Sequence, residues 1–165
     1  MGFLQWLENT GCAQFIASST WANLVLLCLH ALGMGVVVGI LWILDLRVLG
    51  FARSLPLAVF KPLTRLAWLG FIVNAASGIL MFAGAATRFI INTDFQLKML
   101  LMALAGLSVL VLQRSLAEAA RNPEGSDILV VSPLVKIVAA FSFLFWFGVI
   151  LFGRQIAYTL ARPAA

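Results

Sequence analysis

Apolar and polar positions alternate on a long scale in this chain: four apolar runs, each of roughly twenty residues, are divided by short polar connectors. The first run, Trp21 to Leu44, holds 24 residues without Asp, Glu, Lys or Arg. A helix crosses a hydrocarbon core of ~30 Å with about 20 such residues, so the run predicts a membrane span. The same reading predicts further spans at about 66–86, 96–118 and 136–160. DLRVLG, Asp45 to Gly50, ends the first span, and Thr87-Arg88 ends the second. Asn92-Thr93-Asp94 offers the third an N-cap, and Asn122-Pro123-Glu124-Gly125 stops it. Ahead of the spans, Phe3, Leu4 and Leu7 fall at helical spacing with Gln5 and Glu8 between them; Gly11 interrupts the pattern before Phe15 and Ile16. Residues 1–20 thus predict a short amphipathic piece in the interface, with a lid over a site as the alternative. The start lacks a basic region and carries Glu8, so a cleavable signal peptide is not expected. The expectation is a single-domain, all-α integral membrane protein: a four-transmembrane-helix bundle with an N-terminal interfacial helix, set in a lipid bilayer.

Composition sharpens this picture. Hydrophobic residues make up 63% and charged residues 10% of the chain, against about 25% charged in soluble domains. The net charge of +5 sits in connectors beside the spans, which indicates topology signals and lipid headgroups and no nucleic-acid partner. Arg47, Arg53, Lys61, Arg65, Arg114, Arg121 and Lys136 fall on one side, and Arg88, Lys98, Arg154 and Arg162 on the other. The larger group is expected to be cytoplasmic, with both termini outside. Cys12 and Cys28 do not make a disulfide framework.

The candidate chemistry centres on His30, the single histidine, inside the first span. It lies about 13 Å below the Trp21 end at ~1.5 Å per residue. Met81 reaches a similar depth, and Arg88, Lys98 and Arg154 gather towards the same leaflet. Intramembrane ionisable residues are functional candidates by default. One reading has the cations snorkelling to headgroups while His30 bonds a neighbouring helix. The other makes His30 the axial ligand of a haem iron, with Lys98, Arg88 or Arg154 on the propionates and Met81, Met34 or Met102 as a sixth ligand. Asn74, Ser77, Met81 and Arg88 share one face of the second span, a polar seam suited to ligand contact or interhelical bonding. Ala31, Gly35 and Gly39 form a small-residue row that predicts close helix contact, inside the bundle or between protomers of a homo-oligomer or larger complex.

Enzyme signatures are missing: there is no GxSxG, HExxH or P-loop, and whether the chain catalyses a reaction stays open. One His and two Cys cannot close a zinc site. None of the six acids falls mid-span in this reading, so a carboxylate proton relay is not expected.

Several stretches, in order, carry a resemblance: WLENTG, LHALGMGVVVG, DLRVLG, NAASGILMF, NTDFQLKMLLMALAGL and GRQIAY. The chain resembles a bacterial family of four-span inner-membrane proteins, a domain of unknown function, with DLRVLG and FQLKMLL the more specific pieces. The resemblance implies the bacterial inner membrane. Many members of that family have a His near the position of Gln113, and its absence here speaks against a metal or haem site at the inner end of the third helix. A more distant similarity, through His30 and Lys98, is to the copper resistance protein D and protoporphyrinogen oxidase HemJ group; it implies haem b binding and redox work. The resulting expectation is a membrane protein that binds haem b, or a related redox group, through His30, with Lys98, Arg88, Arg154, Met81 and Asn74 around it, and passes electrons or serves a redox partner. The alternatives are a non-enzymatic accessory subunit of a larger membrane complex, and a small transporter or copper-handling protein using Met34, Met81, Met99 and Met102.

Overall fold

The polar breaks in the pattern become helix boundaries. The computed structural model describes residues 2–51, 60–121 and 132–161, all helices and their joints. In chain order these are α1 (Gly2–Glu8), α2 (Gly11–Ser18), α3 (Thr20–Leu49), α4 (Phe60–Ala83), α5 (Ala86–Ile90), α6 (Thr93–Arg121) and α7 (Pro133–Ala161). Side-chain oxygens cap three starts: Thr10 Oγ1 accepts from Ala13 N (3.4 Å), Ser19 Oγ from Ala22 N (3.2 Å) and Asn92 Oδ1 from Phe95 N (3.0 Å). Gly50, at φ 101°, closes α3. Its N–H bonds Arg47 O, and Phe51 N bonds Leu46 O, the paired bonds of a Schellman motif that needs a residue free to adopt positive φ.

Among the described residues, four segments are long and apolar enough to cross a membrane: Thr20–Leu49, Pro62–Ala83, Thr93–Ser115 and Pro133–Leu160. The chain is an all-α, multi-pass membrane protein. The boundaries differ from the sequence reading in instructive ways. α3 runs on through DLRV, because the Gly50 motif and not the first charge ends it, so Asp45 lies inside the helix and is 1% exposed. α4 stops at Ala83, and the Gly84-Ala85 break sets off the short α5. The expected single interfacial helix is two, divided at Asn9-Thr10. Arg53, the Asn122–Gly125 break and Arg162 lie outside the described residues.

α3 packs chiefly on α4 and α6 on α7, and the two hairpins meet along α3 and α7. Their shared core is Val37, Val38, Ala105, Trp146 and Val149, with Met34 and Met102 packed against it; Val48, Leu112 and Ala139 form a second cluster. Outward positions such as Leu32, Ile72, Ile79, Leu107 and Leu144 are exposed, as lipid-facing side chains should be. The close approach of α3 and α4 occurs at Gly33, where an added Cβ would stand 2.7 Å from Gly70 O and 2.8 Å from Asn74 N. The Ala31-Gly35-Gly39 row does not make this contact: all three residues are exposed, and nothing lies within 4 Å of a Cβ built at Gly35 or Gly39. Two helix positions turn the face by about 200°, and the bundle closes on the face of Gly33 and Val37. The row remains open to a neighbour outside the protomer.

α1 and α2 lie against the end of α4 and against α5. Ala13 and Ile16 are buried, with Ile16 Cγ2 close to Gly84, while Phe3, Trp6 and Phe15 are exposed, which is the amphipathic division expected of an interfacial segment. Glu8 fastens α1: its Oε1 accepts from Thr87 N and from Thr87 Oγ1, each at 2.7 Å. These bonds to the backbone and then the hydroxyl of Thr87 hold the Glu8 carboxyl below the ordinary carboxylate range.

Candidate polar site at His30

His30 reaches its position because α3 is free of charge over its preceding turns and because Gly78, across the interface on α4, has no side chain. A Cβ at Gly78 would stand 2.9 Å from His30 Cε1. The ring meets α4 through Nδ1, which lies 2.9 Å from Asn74 O and 3.3 Å from Ser77 Oγ. A carbonyl oxygen only accepts, so Nδ1 carries the hydrogen and donates to Asn74 O. Asn74 answers with its own side chain, Nδ2 donating to His30 O at 2.8 Å. The Ser77 hydroxyl is committed to its own helix, its one hydrogen lying between Val73 O (2.6 Å) and Asn74 O (3.0 Å). Asn74 and Ser77 are both buried.

The second ring nitrogen faces α6. Lys98 Nζ lies 3.3 Å from His30 Nε2. An ammonium donates and cannot accept, so this contact suits a neutral ring with its lone pair on Nε2. Lys98 passes beside Gly153 of α7, whose Cβ, if present, would come 3.6 Å from Lys98 Cε and Nζ. Helices α3, α4, α6 and α7 thus all contribute to one polar point in an apolar bundle. No group of three or more His, Cys, Asp or Glu side chains suited to a metal ion occurs among the described residues.

Of the residues singled out in the sequence, His30, Asn74 and Lys98 come together. Arg88 and Arg154 are engaged elsewhere: Arg88 Nη2 donates to Leu160 O at the end of α7, and Arg154 donates to Tyr158 Oη at 3.0 Å and sits 4.9 Å from that ring's centroid. Met81 is half-buried on α4. Met34 and Met102 belong to the core packing and Met99 faces outward, so the four methionines do not read as one thioether cluster. Two glycines, Gly78 and Gly153, are part of the site's shape and were not singled out. Their only signal is that each stands beside a polar residue, Ser77 or Arg154, in an otherwise apolar run.

The donor set can be weighed against a haem. His30 offers one lone pair on a ring already oriented by a backbone acceptor, which is what an axial ligand needs. Lys98 supplies a positive charge at the same point, its stem running alongside Gly153. Comparison of the chain with models of protein families, with curated proteins and with solved structures finds no match.

Proposed function

We propose that this protein holds haem b, or a related redox group, in the outer half of the bacterial inner membrane and serves electron transfer or an accessory redox role. The observation that carries the reading is the state of the His30 ring. Nδ1–H is committed to Asn74 O at 2.9 Å, which leaves the lone pair on Nε2 towards the meeting of α3 and α6. A second-shell acceptor of this kind fixes ring and tautomer and raises the basicity of the other nitrogen. Lys98, now on that lone pair, is the residue that must turn aside, and its ammonium then serves as counter-charge to propionate groups. A haem held there would supply one-electron chemistry. Asn74 orients the ring, and Gly78 keeps room for it. The cation count supports an orientation with both termini and this half of the bundle outside.

The test is an absorption spectrum of protein purified from cells supplied with a haem precursor. A Soret band is expected, lost in His30→Ala with the fold retained. In Lys98→Ala retention is expected to fall without disappearing, because ligation rests on His30 and charge balance on Lys98. Wild-type protein without Soret absorption overturns the reading. A second reading, an accessory subunit without a cofactor, is favoured by the open Ala31-Gly35-Gly39 row; a co-purifying partner without a chromophore supports it.

A further inference from the structure

Unsatisfied polar groups collect in the other half of the bundle, apart from His30. Asp45 lies fifteen positions beyond His30 on α3, about 22 Å along the axis at ~1.5 Å per residue. It is 1% exposed, and the side chain set against its carboxyl is that of Ser142 on α7, which is 0% exposed. Yet Asp45 Oδ2 and Ser142 Oγ each lack a well-formed hydrogen bond, as do the indole nitrogens of Trp42 and Trp146. Trp42 precedes Asp45 by three positions and Trp146 follows Ser142 by four, so each indole shares a helix face with its polar neighbour. Both tryptophans pack at the Val37–Val149 core, and Trp42 stacks on Phe143 at 4.7 Å.

Among the described residues, the cations on the neighbouring helices point away from the carboxyl into exposed positions. This half carries Arg47 on α3, Lys61 and Arg65 on α4, Arg114 and Arg121 on α6 and Lys136 on α7, with Arg53 in the connector; Arg53 and the side chains of Lys61 and Arg121 lie outside the described residues. Arg65, Arg114 and Lys136 are exposed, and Arg47, two positions along α3, is turned about 200° round the helix from Asp45. Among the described residues, Ser142 is the polar side chain that acts on the carboxyl. An ionised carboxylate buried in this way is far costlier than the neutral acid. A proton removes the charge and also turns one carboxyl oxygen into a donor, which a hydroxyl oxygen or a bridging water can accept.

We propose that Asp45 is a proton-holding carboxyl in the α3–α7 seam, with Ser142, Trp42 and Trp146 as its polar surroundings. The proton is taken from water at the nearby membrane face and returned there; only an O–H bond is made and broken. An apolar groove lined by Leu46, Leu49, Ala140, Phe143 and Leu144 lies on the same two helices, its lining reaching the chain neighbours of Asp45 and Ser142. The site stands independently of the haem reading.

Infrared spectroscopy of the full chain in detergent tests this at neutral pH. The wild type is expected to show a protonated carboxyl C=O band that shifts in D2O and is lost in Asp45→Asn. Ser142→Ala should move the band without removing it, and His30→Ala should leave it in place, which separates this site from the first. Where Asp45→Asn does not fold, treatment of the wild type with dicyclohexylcarbodiimide decides by peptide mass mapping: an adduct on Asp45 supports the proposal. Absence of the band, its persistence in Asp45→Asn, or an unmodified Asp45 in the mapping overturns it.

Discussion

His30 and Asn74 bond each other in both directions across the α3–α4 interface: the ring donates to the Asn74 carbonyl at 2.9 Å, and the Asn74 carboxamide donates to the His30 carbonyl at 2.8 Å. The two bonds do different work. The first belongs to the Asn74 backbone and survives any substitution that keeps α4 in place; the second needs the side chain. Asn74→Ala is therefore expected to cost about 1 kcal/mol, the scale of an interhelical hydrogen bond in a membrane bundle. It should leave the Nδ1–H tautomer unchanged. Because the chain has one histidine, nitrogen NMR of histidine-labelled protein reads the tautomer directly, and unfolding in mixed detergent reads the stability.

Gly33→Ala should destabilise the protein by about 1–3 kcal/mol, the usual range for overpacking. Its Cβ meets backbone atoms of Gly70 and Asn74, which cannot swing aside. Gly35→Ala meets nothing and should be neutral or stabilising by up to ~1 kcal/mol through helix propensity. Thermal unfolding in detergent distinguishes the two. If Gly35→Leu leaves stability unchanged but alters the oligomeric state, the small-residue row is a contact between protomers.

The docking of α1 should depend on pH in one direction only. The Glu8 carboxyl titrates below its ordinary value of 4.5, so its contribution is fully present above that value and is lost as pH falls through the lower, folded-state value. The protection of residues 2–18 against hydrogen exchange, taken relative to the intrinsic rate at each pH, should hold between neutrality and the ordinary carboxylate range, then fall in more acid solution. Glu8→Gln should lower that protection at neutral pH and flatten its pH dependence.

Topology is open to cysteine labelling, since Cys12 is exposed on α2. With both termini outside, an impermeant maleimide should label Cys12 in intact cells and spare Ser126→Cys. The reverse pattern would turn the protein over.

The bundle was legible because long apolar runs report directly on the solvent around a helix, and the cap at Asn92 reports on the start of α6. The location of the close contact was not. Ala31, Gly35 and Gly39 fit a packing motif as well as Gly33 does, and only the presence of Gly70 on α4 decides which face closes. His30 and Lys98 could be assigned to one leaflet by counting residues, and they do meet. Arg88 and Arg154 were assigned to the same leaflet by the same count, yet depth says nothing of direction around a helix, and both turn to α7 partners. Asp45 was read as the end of a span because a charge ordinarily stops one; the Schellman bonds at Gly50 carry the helix past it.

Lys98 belongs to the α6–α7 hairpin and His30 to the α3–α4 hairpin, so the 3.3 Å contact between them is also a mechanical tie across the bundle. The nitrogen that makes this tie is the same one that would take a ligand. Filling the site and fastening the hairpins at this end are therefore mutually exclusive uses of one lone pair, and the spacing of the two hairpins becomes a gauge of whether the site is filled.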